Sequence, residues 1–329
     1  MKEPRMNQGR RFFIGRAAAA AALSALGLAR GAWAQEPAYQ VIDLDWTDPA
    51  RGRPVPVRLY LPTAASADAP VPLVVFSHGM GGSRFGYSYL GRHWASQGLA
   101  SLHVQHVGSD RSLWGGGSVW SLVDRLQGAA QANEAVARVQ DLRFALDRLL
   151  AEELAPLLDA GRIVAAGHSY GANTTLLAGG ARVQRDDVAA SLLDERLRAL
   201  ILISAPPFYG EGRPQPILAP VRLPSLHITA TDDVIRIPGY YSGADDRLAI
   251  WQAIGSTRKT LAVFTGGSHS MFTDRTGTGG AELNAQVKLA TRDLTLAFMR
   301  SVLDGSDGDL RAWPQQHAAI VNRFERGVA

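Results

Sequence analysis

The chain has 329 residues, contains no cysteine and is 46% hydrophobic, which excludes a disulfide framework, a thiol nucleophile and a largely disordered chain. The first 34 residues hold six basic side chains and one acid, so they contribute +5 to a formal net charge of +4. The remainder sums to about −1 by formal charge. A surface that binds nucleic acid is therefore not expected.

The N-terminal segment has the pattern of an export signal. Basic residues in and around Arg10–Phe13 precede the apolar run Ala17–Leu28, and Ala32–Ala34 has small residues where a signal peptidase cuts. The run is shorter than the roughly 20 residues that span a bilayer, so no stable membrane insertion of the mature chain is expected. The paired arginines indicate twin-arginine export, with a general secretory signal as the alternative. We predict a leader over 1–34, cleaved after Ala34, and a periplasmic or secreted mature chain, 35–329.

Beyond the leader, short apolar runs alternate with longer helical patterns, which is typical of βα units around a mostly parallel sheet. The predicted strands cover 39–44, 54–61, 73–76, 99–104, 162–166, 199–204, 225–229 and 260–264. The predicted helices cover 86–97, 131–150, 170–180, 245–254, 282–303 and 314–325. A Gly- and Ser-rich stretch, 107–129, is predicted to be a long loop over one end of the sheet. Without repeats or a long linker, residues 35–329 are expected to form one α/β domain.

The strongest local motif is Gly167-His168-Ser169-Tyr170-Gly171, between a predicted strand and a predicted helix. This is the context of a nucleophile elbow, in which glycines relieve crowding at a sharp turn that presents a serine. The turn lies at the carboxyl end of a strand, where open α/β sheets bind ligands. Ser169 is therefore the predicted nucleophile.

A serine hydroxyl needs a base, and an acid must orient that base. His269 follows the last predicted inner strand in a Gly-rich loop, whereas His227 lies within a strand and His317 within a terminal helix. We therefore predict His269 as the base. The acid is expected after the preceding strand, where Asp232 and Asp233 are adjacent; Asp233 is favoured, and the choice stays open.

The oxyanion formed during acyl transfer needs backbone N–H donors. One is expected from Tyr170, directly after the nucleophile, and the other from Met80 in the glycine-rich loop Ser77–Gly82. His78 is expected to brace this loop by hydrogen bonding.

The sequence predicts no metal and no cofactor. His103 and His106 lack a nearby cysteine and a clear carboxylate partner for a metal site. The glycine runs 115–117 and 279–280 lack the lysine and spacing of a phosphate loop or a dinucleotide fingerprint.

The segments 76–81 and 167–171, with the acidic pair and His269 in chain order, resemble those of α/β-hydrolases. More narrowly, they resemble the platelet-activating-factor acetylhydrolase and dienelactone-hydrolase-like group, with bacterial polyester hydrolases and plant chlorophyllases as looser relatives. The resemblance covers about 55–303 and implies an α/β-hydrolase fold without a large cap domain. Dienelactone hydrolases proper use a cysteine nucleophile, so Ser169 argues against that particular activity.

These features predict a serine hydrolase that cleaves carboxylic esters of small molecules through an acyl-enzyme. Two alternatives remain. A peptidase or amidase would use the same triad, and an exported, catalytically inactive binding protein would use the same fold.

Overall fold

A computed structural model describes residues 37–116, 118–183, 192–237 and 240–327. Its strands are β1 Tyr39–Asp48, β2 Arg53–Pro62, β3 Val71–Ser77, β4 Ala100–Val104, β5 Leu158–His168, β6 Leu197–Ile203, β7 Ser225–Ala230, β8 Ile235–Ile237, β9 Tyr240–Ser242, β10 Lys259–Phe264 and β11 Val321–Arg326. Its α-helices are α1 Ser88–Ser96, α2 Val119–Ala129, α3 Ala132–Leu149, α4 Tyr170–Ala178, α5 Pro214–Leu218, α6 Ala244–Ala253, α7 Ala281–Asp304 and α8 Gly308–Gln316. Short 3-10 turns cover Arg111–Trp114, Ala155–Leu157 and His269–Phe272. The predicted leader, 1–34, lies outside the described residues.

Nine of these strands form one sheet in the order β1-β2-β4-β3-β5-β6-β7-β10-β11, while β8 and β9 form a separate hairpin. The inner strands from β4 to β10 run parallel. The outer strands β1, β2 and β11 are antiparallel to their neighbours. Because parallel strands end at one edge, the loops after β3, β5, β6, β7 and β10 come together there.

The inner strands bury both faces, so they are continuous apolar runs instead of alternating ones. On β3, Leu73 and Val75 join a core with α3, α4, α5 and α6. Val74 and Phe76 point the opposite way, into a second core with α1, α7 and α8. A mostly parallel sheet with helices on both faces confirms the predicted α/β-hydrolase fold. Between β6 and β7, where every residue is described, the chain contains only the short helix α5 and no large cap.

The C-terminal segment differs from the prediction of a helix over 314–325. The helix α8 ends at Gln316, and β11 follows as an antiparallel partner of β10. The periodicity of a short apolar segment does not separate helix from strand. Here β10 needs a hydrogen-bonding partner on its outer side, and Phe324 of β11 packs 5.4 Å from the Trp313 ring, centroid to centroid.

The predicted long loop, 107–129, instead contains a 3-10 turn and α2. Asp110 Oδ1 accepts a hydrogen bond from the Ser112 amide at 3.2 Å and so caps the turn. Ser118 Oγ accepts one from the Ser121 amide at 3.2 Å and caps α2. These are ordinary N-cap residues, so the helical starts were detectable from the sequence.

Within the described ranges, no helix combines the length and apolar character needed to cross a bilayer.

Candidate active site

Ser169 occupies the turn between β5 and α4, and its side chain is partly exposed. Its backbone has φ 54° and ψ −125°, which a non-glycine residue rarely adopts. A Cβ on Gly171 would lie 1.9 Å from the Ser77 carbonyl oxygen, and one on Gly167 would lie 2.2 Å from the Gly171 carbonyl oxygen. Glycine at both positions therefore permits the sharp turn.

The structure brings His269 against Ser169. His269 begins the 3-10 turn that follows β10, and its Nε2 lies 2.8 Å from Ser169 Oγ. Gly266 and Gly267 precede it with φ of 67° and 87°, a left-handed conformation that glycine adopts without strain. These two residues turn the chain back over the sheet edge.

The two adjacent carboxylates after β7 lie in different environments. Asp233 is fully buried, and its Oδ1 lies 2.7 Å from His269 Nδ1. Asp232 is exposed and accepts a hydrogen bond from the Thr231 hydroxyl at 3.2 Å. The structure thus brings Asp233, and not Asp232, to His269.

Several donors hold the Asp233 carboxylate. Its Oδ2 accepts hydrogen bonds from Ser204 Oγ at 2.5 Å and Thr229 Oγ1 at 2.7 Å, and Arg247 Nη2 lies 3.5 Å from Oδ1. Burial alone would raise the pKa of Asp233. The hydrogen bond from His269, with the charges of His269 and Arg247 and the Ser204 hydrogen bond, offsets burial and holds this pKa well below its ordinary range. Asp233 is therefore an anion at neutral pH.

The loop after β3 leaves the Met80 amide available. The neighbouring amides are engaged: Gly79 N–H donates to Tyr87 Oη at 3.3 Å, Gly81 N–H to the Ser109 carbonyl at 2.8 Å, and Gly82 N–H to the Gly79 carbonyl at 3.0 Å. Among the described residues, the Met80 N–H has no hydrogen-bond acceptor. Met80, Ser169 and Tyr170 line the same cleft.

A buried bridge joins this loop to the loop that carries His269. His168 Nε2 lies 3.0 Å from the His269 carbonyl oxygen, and its Nδ1 lies 2.8 Å from Tyr87 Oη. Tyr87 Oη in turn accepts a hydrogen bond from the Gly79 amide. Burial lowers the pKa of His168 to about 3, so this ring stays neutral. Tyr87 has a strained φ of 58°, which the surrounding contacts maintain.

Beneath the loop lies a second buried network. His78 Nδ1 lies 2.7 Å from the Gly79 carbonyl, and its Nε2 accepts the His106 amide at 3.1 Å, which agrees with its expected bracing role. His106 contacts Asp141 at 3.2 Å through Nδ1 and Ser77 Oγ at 3.1 Å through Nε2. His106 therefore has a carboxylate neighbour, which the sequence did not show.

The cleft beside Ser169 encloses about 890 Å³, its open mouth included. Its walls are mostly apolar, and Val136, Leu177, Phe208 and Ile235 line it. Such a shape suits an apolar part of a ligand placed against the serine.

The other histidines lie in separate environments. His227 is buried in β7 with Nε2 3.0 Å from Ser225 Oγ, and His317 follows α8 with Nε2 3.6 Å from Asp293. His103 stacks on the Phe76 ring. In the part of the chain that the structure describes, no group of three or more histidine or acidic side chains is placed to hold a metal ion.

The fold and the serine–histidine–aspartate contacts together are those of the α/β-hydrolase class. The profile of the family "Platelet-activating factor acetylhydrolase, isoform II" matches residues 55–114, which run from within β2 through β3, the Met80 loop, α1 and β4. This match supports a relationship to that family and a hydrolase of the esterase type. No curated protein matches the chain at a significant level.

Sequence reasoning did not identify several groups around the site. Ser204 directly follows β6, so its position at the carboxyl edge of the sheet was a usable signal. Arg247 on α6, and Tyr87 before α1, reach the site from distant segments and carry no local motif.

Proposed function

We propose that the protein is a serine hydrolase that cleaves carboxylic esters through an acyl-enzyme, with Ser169 as nucleophile, His269 as base and Asp233 as acid. The observation that carries the proposal is the pair of contacts at His269, 2.8 Å to Ser169 Oγ and 2.7 Å to Asp233 Oδ1. The name of the matched family, an acetylhydrolase, supports ester chemistry.

In the acylation step, His269 Nδ1–H donates to the Asp233 carboxylate, which leaves the Nε2 lone pair to accept the Ser169 proton. Ser169 Oγ attacks the ester carbonyl carbon, and the carbonyl electron pair moves to oxygen. The Met80 and Tyr170 amides donate to that oxyanion. His269 then passes its proton to the leaving alcohol as the carbon–oxygen bond breaks.

In the deacylation step, His269 accepts a proton from water, and the resulting hydroxide adds to the acyl carbon. The second oxyanion occupies the same site between the Met80 and Tyr170 amides. Its collapse returns the proton to Ser169 Oγ and releases the carboxylic acid.

The apolar cleft indicates that one side of the ester is hydrophobic. Its mostly apolar lining suits an acyl or alcohol hydrocarbon group placed beside Ser169. Burial of each additional methylene contributes about 0.8 kcal/mol, so kcat/KM is expected to rise along a homologous ester series until the cleft is filled.

The test is hydrolysis of p-nitrophenyl esters from acetate to octanoate by wild type and Ser169→Ala, with Ser96→Ala on an exposed helix end as control. We expect Ser169→Ala to lose at least about a thousandfold in kcat and Ser96→Ala to match wild type. A parallel series of acetate esters with longer alcohols shows which side of the ester the cleft accepts. Equal rates for wild type and Ser169→Ala, or turnover of p-nitroanilides with no turnover of esters, would contradict the proposal.

The proposal includes export. It rests on the basic, apolar and small-residue pattern of residues 1–34 and is tested by cell fractionation of wild type and Arg10→Lys/Arg11→Lys. Twin-arginine export predicts that the paired substitution retains the protein in the cytoplasm. Unchanged export would favour the general secretory route.

A further inference from the structure

A fully buried arginine lies next to the proposed oxyanion hole. Arg138 of α3 has no exposed surface. Its Nε–H donates to Thr174 Oγ1 at 2.8 Å, its Nη1 donates to Ser109 Oγ at 2.8 Å, and its Nη2 donates to the His78 carbonyl. Burial lowers the pKa of Arg138 to about 10, so the guanidinium is still cationic at neutral pH. Burying a cation against neutral partners is costly, which calls for a functional explanation.

Two of the three hydrogen-bond partners of Arg138, the His78 carbonyl and Thr174 Oγ1, belong to the two segments that supply the proposed oxyanion donors. The His78 carbonyl precedes Gly79 and Met80 in the loop after β3. The guanidinium carbon also lies 4.5 Å from the centroid of the Tyr170 ring, a cation–π contact. Thr174 Oγ1, besides accepting from Arg138, donates to the Tyr170 carbonyl at 3.1 Å.

The nearby carboxylates are shared with other arginines. Glu134 accepts a hydrogen bond from the Ser109 hydroxyl at 2.8 Å, and Ser109 Oγ in turn accepts one from Arg138. The link between Glu134 and Arg138 therefore runs through Ser109. Glu134 is also ion-paired with Arg53 at 3.1 Å, and Asp141 is ion-paired with Arg53 at 2.9 Å. The positive charge of Arg138 is thus not cancelled by a carboxylate in direct contact among the described residues.

We propose that Arg138 is a positioning residue of the oxyanion hole, which holds the His78 carbonyl and the Tyr170 ring so that the Met80 and Tyr170 amides converge on the oxyanion. This inference rests on the proposed ester hydrolysis. The planar, forked guanidinium can meet the His78, Ser109 and Thr174 oxygens at once, whereas an ammonium at the end of a flexible chain cannot hold the same geometry. Its charge also favours the anion that forms in the transition state over the neutral ester.

The experiment compares wild type, Arg138→Lys, Arg138→Met and Thr174→Val, with Arg148→Met on the exposed surface of α3 as control. Each variant is first shown to be folded by circular dichroism. The readouts are kcat and KM for p-nitrophenyl butyrate, and the inhibition constant of a phenylboronic acid, which forms a tetrahedral anion on the serine.

We expect Arg138→Met to lower kcat about 100-fold with KM within about threefold, because displacement of catalytic groups by about 1 Å costs this much. The boronate inhibition constant should rise in parallel with the loss of kcat/KM. Arg138→Lys should recover part of the loss, Thr174→Val should lose about tenfold, and Arg148→Met should match wild type. A purely structural role would not move boronate affinity and kcat together at constant KM.

Folded Arg138→Met and Arg138→Lys proteins with kcat within threefold of wild type would overturn the inference, as would a loss of kcat without a loss of boronate affinity. If Arg138→Met does not fold, Arg138→Lys and Thr174→Val decide by the same criteria. An inactive wild type, or activity that survives Ser169→Ala, would instead refute the proposed function itself.

Discussion

Replacement of Asp233 by asparagine removes the charge that faces His269 and keeps the shape of the side chain. In the proposed mechanism the imidazole becomes cationic in the transition state, beside a carboxylate oxygen 2.7 Å from its Nδ1. At an effective dielectric constant of about 20, unit charges about 4 Å apart attract each other by about 4 kcal/mol. At about 1.36 kcal/mol for each factor of ten, Asp233→Asn should lower kcat by about a thousandfold.

The chain supplies a matched control in Asp232, the exposed neighbour of Asp233. Asp232→Asn removes the same charge from the same loop, and its rate should stay within about twofold of wild type, because solvent screens an exposed charge. The assay is the initial rate at saturating p-nitrophenyl butyrate, with the melting temperature of each variant measured beside it.

The reasoning would be refuted by a folded Asp233→Asn protein with kcat within tenfold of wild type. Equal losses in Asp232→Asn and Asp233→Asn would refute it as well, since the assignment of the acid depends on the difference between the two environments.

Three further predictions concern the bridge, the elbow and pH. Tyr87→Phe removes the hydroxyl that lies between His168 Nδ1 and Gly79 N–H. We expect kcat to fall about tenfold while the circular dichroism spectrum stays that of wild type. An unchanged kcat would show that catalysis does not need the bridge. Gly171→Ala places a Cβ 1.9 Å from the Ser77 carbonyl oxygen and should lower the free energy of unfolding in urea by more than about 3 kcal/mol. The control is Gly128→Ala in α2, where the added Cβ meets open space and should raise the free energy of unfolding by up to about 1 kcal/mol. Burial lowers the pKa of His78, His103, His106, His168 and His227. The unfolded chain therefore binds protons below about pH 6.5 that the folded chain does not bind. The free energy of unfolding should fall as the pH is lowered from 7 to 5, by up to about 1.4 kcal/mol per pH unit for each histidine, and constant stability over this range would contradict the prediction.

The inner strands and their order along the chain were predictable because each contains a short apolar run, as Leu73 to Phe76 in β3 illustrates. The Gly167–Gly171 motif predicted the turn at Ser169 because such a sharp turn needs glycine two residues before and two residues after the serine. The contact between Ser169 and His269 was predictable because they follow β5 and β10, and parallel strands end at the same edge of a sheet.

Other parts of the site depend on side-chain direction or on distant contacts. Asp232 and Asp233 are adjacent, and only the fold determines which of them is buried against Ser204 and Thr229. Arg138 lies on a helix whose pattern is ordinary, and nothing local indicates that its guanidinium reaches the loop after β3. The strand β11 was predicted as a helix because it becomes a strand by pairing with the outer side of β10. The residue pattern of a short segment does not show such a distant pairing.

The most direct test of the central claim is to trap the acyl-enzyme. The purified protein is mixed with a p-nitrophenyl ester, quenched in acid within the first turnover, and analysed by intact and peptide mass spectrometry, with a fluorophosphonate as a second probe. The account predicts one acyl group per chain on the peptide that contains Ser169, a burst of p-nitrophenol of the same amount, and neither in Ser169→Ala. Turnover without a burst or adduct, or an adduct that persists in Ser169→Ala, would contradict it.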